Sequence, residues 1–224
     1  RVEWIENQDS PLLRGELNCI PIWNYDGSST NQATGSDSEV LLKPVNIYRN
    51  PFNKNRNVPG YLVLCETFVH DINTPHSTNT RNIASKVFTK ESVNKYDPLF
   101  GIEREFFVYD NKLNPPKILG WEHGTPEAQG PYYCSVGAGK CFGKEFMEEA
   151  LDLCLEINLN VTGSNIEVCP GQMEIQICAK GLEAADQCLI LSYILDRLGE
   201  EYNYSINCAA KPVEGDWNGS GCHV

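Results

Sequence analysis

Apolar residues early in the chain fall in short β-rich runs such as Tyr61-Leu-Val-Leu-Cys-Glu-Thr-Phe-Val69, separated by Gly, Pro and Asn clusters. This pattern predicts a small strand-built domain up to about Asp71. The period then changes: Ile83, Ala84, Val87 and Phe88 recur at helical spacing between Thr80 and Val93, and Asp97-Pro98 ends the run. A second domain is expected to open with this helix. Phe100-Gly-Ile-Glu-Arg-Glu-Phe-Phe-Val-Tyr109 is aromatic and β-branched enough to read as a strand, and a Pro/Gly-rich loop follows to about Gly130. Phe146, Met147, Ala150, Leu151 and Cys154 mark one face of a helix over 144–155. Residues 165–177 read as two strands joined at Pro170-Gly171, and 184–198 as a helix closed by Gly199. Strand, helix, hairpin and helix in this order predict an α+β fold, with no internal repeat.

Composition narrows the partners. The 224 residues carry 18 Lys+Arg against 30 Asp+Glu, a net charge of −12. A chain this acidic repels phosphate backbones and anionic lipid, so no nucleic-acid or membrane-surface partner is expected. With 41% hydrophobic residues and a mean hydropathy of −0.36, it is globular in composition. A chain of this length buries about 70% of its unfolded surface. The apolar run from Leu189 to Leu195 is interrupted by Ser192 and Tyr193, and no stretch has the length of a membrane span. Ten cysteines and sequons at Asn160, Asn203 and Asn218 fit a secreted, disulfide-bonded chain. The absence of any C-x-x-C pair and the placing of several cysteines at apolar positions of periodic segments favour reduced thiols and a cytoplasmic protein. No targeting signal is visible at Arg1, which leaves an organellar location open.

Side chains two apart on a strand share a face, so Glu103 and Glu105 project together. Their repulsion suits either a solvated face or a site where cations neutralise both, and an all-oxygen ligand set suits Mg²⁺ or Mn²⁺. Glu167 and Glu174 lie on the two arms of the Pro170-Gly171 turn among Ile166, Val168, Met173 and Ile175. A carboxylate among apolar neighbours calls for a compensating cation, though a hairpin with one polar face has the same spacing. His223 ends the Gly-rich segment 215–223, where backbone N–H groups can approach a small anion closely. His70, His76 and His123 have no such context. Gly137-Ala-Gly-Lys-Cys-Phe-Gly-Lys144 does not fit a phosphate loop, and no G-x-G-x-x-G, G-x-S-x-G or H-E-x-x-H occurs.

Five ordered segments together resemble glutamine synthetase, most closely its eukaryotic-type branch. They are Trp23-Asn-Tyr-Asp-Gly-Ser-Ser-Thr30, Phe100-Gly-Ile-Glu-Arg-Glu105, Gln129-Gly-Pro-Tyr-Tyr-Cys134, Asn165-Ile-Glu-Val-Cys-Pro-Gly-Gln-Met-Glu174 and Asn218-Gly-Ser-Gly-Cys-His223. The resemblance implies a β-grasp-like domain over 1–75 and part of a catalytic domain over 76–224, an antiparallel sheet with flanking helices. It implies that Glu105, Glu167 and Glu174 hold one divalent metal, and that Glu103 and His223 supply part of a second metal's shell near the nucleotide. Glu103, Glu174 and Gln176 would face ATP, while Trp217, Asn218 and Gly219 would contact L-glutamate. Asp26 matches the acidic residue that serves ammonia binding or deprotonation in a neighbouring subunit's site, with Ser29 and Tyr133 lining that pocket. The implied reaction joins ammonia to L-glutamate through γ-glutamyl phosphate at the expense of ATP, with two or more Mg²⁺ or Mn²⁺ ions per site. The implied assembly is a homo-oligomer, a decamer of two rings.

The sequence departs from the family pattern at Arg104 between two metal carboxylates, at Met173 where an aromatic is common, at Asp216 for Asn, and at Val224 for a small hydroxyl residue. Alternation turns Arg104 away from the carboxylates. The sequence stops one residue after His223. Family members continue with substrate-binding arginines, another metal glutamate and a lid, so a fragment that makes little or no glutamine alone is expected. Two other readings stay open: a γ-glutamyl ligase for a larger amine, and a non-catalytic module that joins complete subunits.

Overall fold

The computed structural model describes residues 16–53 and 59–224. They form two compact units divided between Tyr96 and Asp97. In the first, β1 (Trp23–Asp26), β2 (Glu39–Arg49) and β3 (Tyr61–Val69) make an antiparallel sheet in the order β1-β2-β3. The β2/β3 register shifts between Pro44 and Asn46, where proline has no N–H to give to the ladder.

The helix expected as one piece over 80–93 is two: α1 (Thr80–Phe88) and α2 (Glu91–Asn94). Thr89 causes part of the break, because its hydroxyl donates to the Ser85 carbonyl at 2.8 Å, and Lys90 is extended at φ −70°, ψ 133°. The periodic apolar residues of α1 make no buried face, since Ile83 is 65% exposed. Polar contacts hold α1 instead: the buried Glu66 of β3 accepts from Arg81 at 2.7 Å and from Asn82 at 2.9 Å.

The second unit is built on β4 (Leu99–Asp110), which pairs antiparallel with β7 (Gln172–Lys180), β5 (Lys117–Ile118), β8 (Tyr204–Asn207) and β9 (Cys222–His223). β6 (Val161–Ile166) extends the sheet beyond β7. Two helices, α3 (Lys144–Glu156) and α4 (Leu182–Tyr202), pack on this sheet and on each other, giving an α+β fold. The register places Ile102, Arg104, Phe106, Met173, Ile175 and Ile177 on one face, and Ile102 and Ala179 pack against Ala184 of α4. Phe106, Ile175, Ile177, Phe146, Met147, Leu191, Ile194 and Leu195 are fully buried. Arg104 is on this helix-covered face, as strand alternation requires.

Gly199 does not close α4. The helix runs on to Tyr202 and is capped by Asn203 in the left-handed region, φ 60°. A Cβ at Gly199 would sit 2.8 Å from the Tyr204 carbonyl oxygen, so glycine is there for the close approach of β8. All ten cysteines are free thiols. Cys154 and Cys169 are buried hydrophobes whose thiols burial pushes up to about 12.

Phe146 fills the space between α3 and the rings of Tyr202 and Tyr204, at 5.5 and 5.8 Å. Phe146→Ala is expected to lower unfolding free energy by about 3–5 kcal/mol, read from the urea midpoint at constant m.

Candidate metal centre

Antiparallel register brings the polar residues of the sheet together in rows on the face away from the helices. Glu105 of β4 lies opposite Glu174 of β7, which lies opposite Asn165 of β6. One step along, His223 of β9, Glu103 of β4, Gln176 of β7 and Gly163 of β6 form a second row. Phe107 and Gln172 head a third. Phe107 packs with Ile118, Cys169 and Trp217 in a small apolar cluster at that end of the face. Cross-strand partners point to the same side, so these rows follow from the alternation in β4 and β7.

Glu167 completes the centre from the turn after β6. Its N–H donates to the Gln172 carbonyl at 3.0 Å and the Gln172 N–H donates to the Cys169 carbonyl at 3.0 Å, closing the turn at Pro170-Gly171. Gly171 has φ 75°, and a Cβ there would lie 2.6 Å from the Leu119 carbonyl oxygen, so the turn requires glycine. The outcome is that Glu105, Glu167 and Glu174 each offer an oxygen within 4.8 Å of the others. Their exposures are 7, 8 and 6%.

Three carboxylates this close are hard to keep ionised together. Two unit charges 4.8 Å apart repel by about 3–4 kcal/mol at an effective dielectric of 20. Three such pairs approach the whole stability of a domain, about 5–15 kcal/mol. Accordingly burial, then the neighbouring Glu174 and Glu105, push the Glu167 carboxyl up to about 7. Among the described residues no lysine or arginine pairs with the three; the nearest cationic group is His223, with Nδ1 3.8 Å from Glu105 Oε1. A hard divalent cation with oxygen ligands fits this donor set and removes the repulsion.

His223 Nδ1 is 3.0 Å from Glu103 Oε2, and this contact raises its pKa. The imidazole is exposed, open to a second ion or to an anionic ligand. Gly221 fits between the two groups: a Cβ there would be 2.8 Å from the His223 ring and 3.0 Å from Glu105 Oε1.

The remaining predicted residues are spread more widely. Tyr133 is 60% exposed in the turn preceding Cys134, and the nearby Cys134, then Glu167 and Glu174, raise its phenol pKa. Trp217 is buried, stacked at a tilt on Trp121 with 5.4 Å between centroids, so its ring anchors the loop. Asn218 and Gly219 are exposed beside it; Asn218 Oδ1 accepts from Gln129 at 3.5 Å. Asp26 and Ser29 lie in the first unit, at the end of β1. Asp26 accepts from the Ser28 N–H at 2.9 Å, the Ser28 hydroxyl at 2.6 Å and the Ser29 hydroxyl at 3.1 Å. The Ser28 bonds hold its carboxyl below the usual range, fully ionised at neutral pH.

Two contributors had no assigned role in the sequence. Gln172 donates from Nε2 to Glu105 Oε2 and to the Gly219 carbonyl, both at 2.9 Å. Asn165 Nδ2 donates to Glu167 Oε1 at 3.0 Å. The parity that paired Glu103 with Glu105 also places Gln172 on the face of Glu174, and was the signal available for it.

The family model for the glutamine synthetase catalytic domain matches residues 77–224. The chain belongs to the glutamine synthetase family. It is 46% identical over 218 residues, 96% of its length, to a protein of Acanthamoeba polyphaga mimivirus that carries the glutamine synthetase name. It is 44% identical over 207 residues, 92% of its length, to the chloroplastic glutamine synthetase of Zea mays, and 42% identical over 207 residues to a cytosolic glutamine synthetase isozyme of Oryza sativa subsp. japonica. It spans 59, 48 and 56% of these relatives, about half the length of a curated glutamine synthetase. No helix of the described residues is long and apolar enough to cross a membrane.

In this family member, Glu167 holds its proton in the metal-free folded state up to about pH 7, against an ordinary value of 4.5. The folded state therefore binds that proton more tightly than the unfolded one, and the associated stability is lost as pH rises through about 7. The metal-free melting temperature is expected to fall from pH 5 to pH 8 more steeply than in Glu167→Gln. Added Mn²⁺ should restore it at pH 8 in the parent only; equal slopes in the two proteins would contradict the assignment.

Proposed function

We propose that this chain contributes the divalent-metal centre of an ATP-dependent ligase that joins ammonia to L-glutamate. The observation that carries this reading is the group of three buried carboxylates within 4.8 Å of one another in a chain of the glutamine synthetase family. Glu105, Glu167 and Glu174 hold one Mg²⁺ or Mn²⁺, and Glu103 with His223 hold part of the shell of a second. When bound, the ions supply Lewis-acid neutralisation of the charge on the transferring γ-phosphoryl group.

The γ-carboxylate of glutamate attacks the γ-phosphorus of ATP, releasing ADP and leaving γ-glutamyl phosphate. Ammonia then attacks the acyl carbon, and phosphate leaves with the bonding pair to give glutamine. Asn218 and Gly219 orient the glutamate on a loop that the buried Trp217 ring anchors. Gln176 lines the nucleotide side with Glu103 and Glu174. Asp26, ionised and already held by two serines, attracts ammonium electrostatically and accepts its proton, with Ser29 and Tyr133 lining the pocket. Asp26 serves a neighbouring subunit's site in a homo-oligomer, a decamer of two rings. The relatives' names include chloroplastic and cytosolic proteins, and cytoplasm or an organelle suits this chain equally.

The test uses the native protein isolated from its source with L-glutamate labelled by ¹⁸O in the γ-carboxylate. One labelled oxygen is expected in the phosphate for each glutamine formed, with ammonia preferred to polyamines and the transfer lost in Glu174→Gln. Glutamine made without label in the phosphate would contradict the acyl phosphate route. Product formed only with a larger amine would contradict the choice of nucleophile.

A further inference from the structure

Each of the three clustered carboxylates has one oxygen held by a neutral carboxamide. Gln172 Nε2 donates to Glu105 Oε2 at 2.9 Å, Asn165 Nδ2 donates to Glu167 Oε1 at 3.0 Å, and Gln176 Nε2 donates to Glu174 Oε1. The amides are linked, since Gln176 Nε2 also donates to Asn165 Oδ1 at 2.8 Å. That bond fixes which end of Asn165 faces Glu167: its oxygen is taken, so the NH₂ group points at the carboxylate. Gly163, across the sheet from Gln176, leaves room for this arrangement, because a Cβ there would lie 2.2 Å from Gln176 Oε1.

Gln172 shows most clearly that the amides are there for the carboxylates. It is fully buried, Nε2 also donates to the Gly219 carbonyl, and Oε1 has no partner among the described residues. A buried acceptor without a partner destabilises a fold, so a residue selected for packing alone would be better as Met or Leu. A lysine or arginine could hold the carboxylates too, but it would cancel the charge that a cation needs. An amide fixes an oxygen and leaves the charge in place.

We propose that Gln172, Asn165 and Gln176 are positioning residues that pre-set the Glu105–Glu167–Glu174 cluster for one divalent cation, acting on the metal through the carboxylates and not as ligands. The proposal rests on the metal-site reading above. It gives Gln172 a second consequence: one amide joins Glu105 to Gly219, so the metal carboxylate and the 215–221 loop are held in a common geometry.

The test is calorimetric titration of the 224-residue chain with Mn²⁺, with thermal melting of the metal-free proteins alongside. The parent should bind Mn²⁺ and lose binding in Glu174→Gln. Gln172→Met keeps the shape and removes both donors and the orphaned acceptor. It relieves one orphaned acceptor and leaves the Gly219 carbonyl and Glu105 Oε2 without this donor, so the metal-free protein should still fold with a modestly lower melting temperature, while Mn²⁺ affinity falls about 10–100-fold. Gly163→Ala touches no carboxylate, but its Cβ displaces the Gln176 amide, and a loss of the same order is expected. Should one variant fail to fold, the other decides. A folded variant of either kind that binds Mn²⁺ within twofold of the parent overturns the positioning role while leaving the metal site standing. A parent that binds no Mn²⁺ overturns the metal-site reading and this proposal together.

Discussion

Mutual repulsion among three buried carboxylates is the constraint on which the second unit is organised. Left ionised together, Glu105, Glu167 and Glu174 would set several kcal/mol against the fold; burial first, and then the neighbouring Glu174 and Glu105, raise the Glu167 pKa to about 7. A divalent cation, held as proposed above, would remove the repulsion altogether. On that proposal the charge that strains the fold also selects the ligand, and stability and metal binding are coupled through one cluster.

The opposite face of the sheet makes that strain tolerable. Phe106, Ile175 and Ile177 close one side of a core that α3 and α4 complete with Phe146, Leu191, Ile194 and Leu195, all fully buried. β4 and β7 belong to both faces at once, so the apolar layer fixes the register, and the register fixes the rows of polar residues. A one-residue slip between these strands would turn Glu105 toward the helices and Arg104 toward the site. The His223 row depends on the same strand, because β9 pairs with β4 at Glu103 and Arg104.

Much of this was legible in the sequence, because strand alternation is a strict geometric rule. Glu103 and Glu105 share a face, Arg104 faces away, and the Pro170-Gly171 turn does bring Glu167 beside Glu174. The elements that differ from the sequence pattern depend on competition the pattern does not record. Thr89 interrupts an apolar period with its own hydroxyl, and Gly199 serves β8 rather than the end of α4. Ile83 and Val87 look like core positions and are exposed, since α1 is tied to β3 through Glu66. Gln172 and Asn165 are inconspicuous in the sequence for a different reason. A carboxamide has no charge to flag it, and its importance appears only when its hydrogen-bond partners are known.

Whether the three glutamates form a cation site is decided by diffraction from crystals of the chain grown with Mn²⁺, collected at the manganese edge. An anomalous peak is expected among the carboxylates of Glu105, Glu167 and Glu174, with oxygen ligands at about 2.0–2.2 Å as hard octahedral coordination requires. An ordered cluster with no anomalous peak at saturating Mn²⁺, or manganese held only elsewhere on the acidic surface, would contradict it.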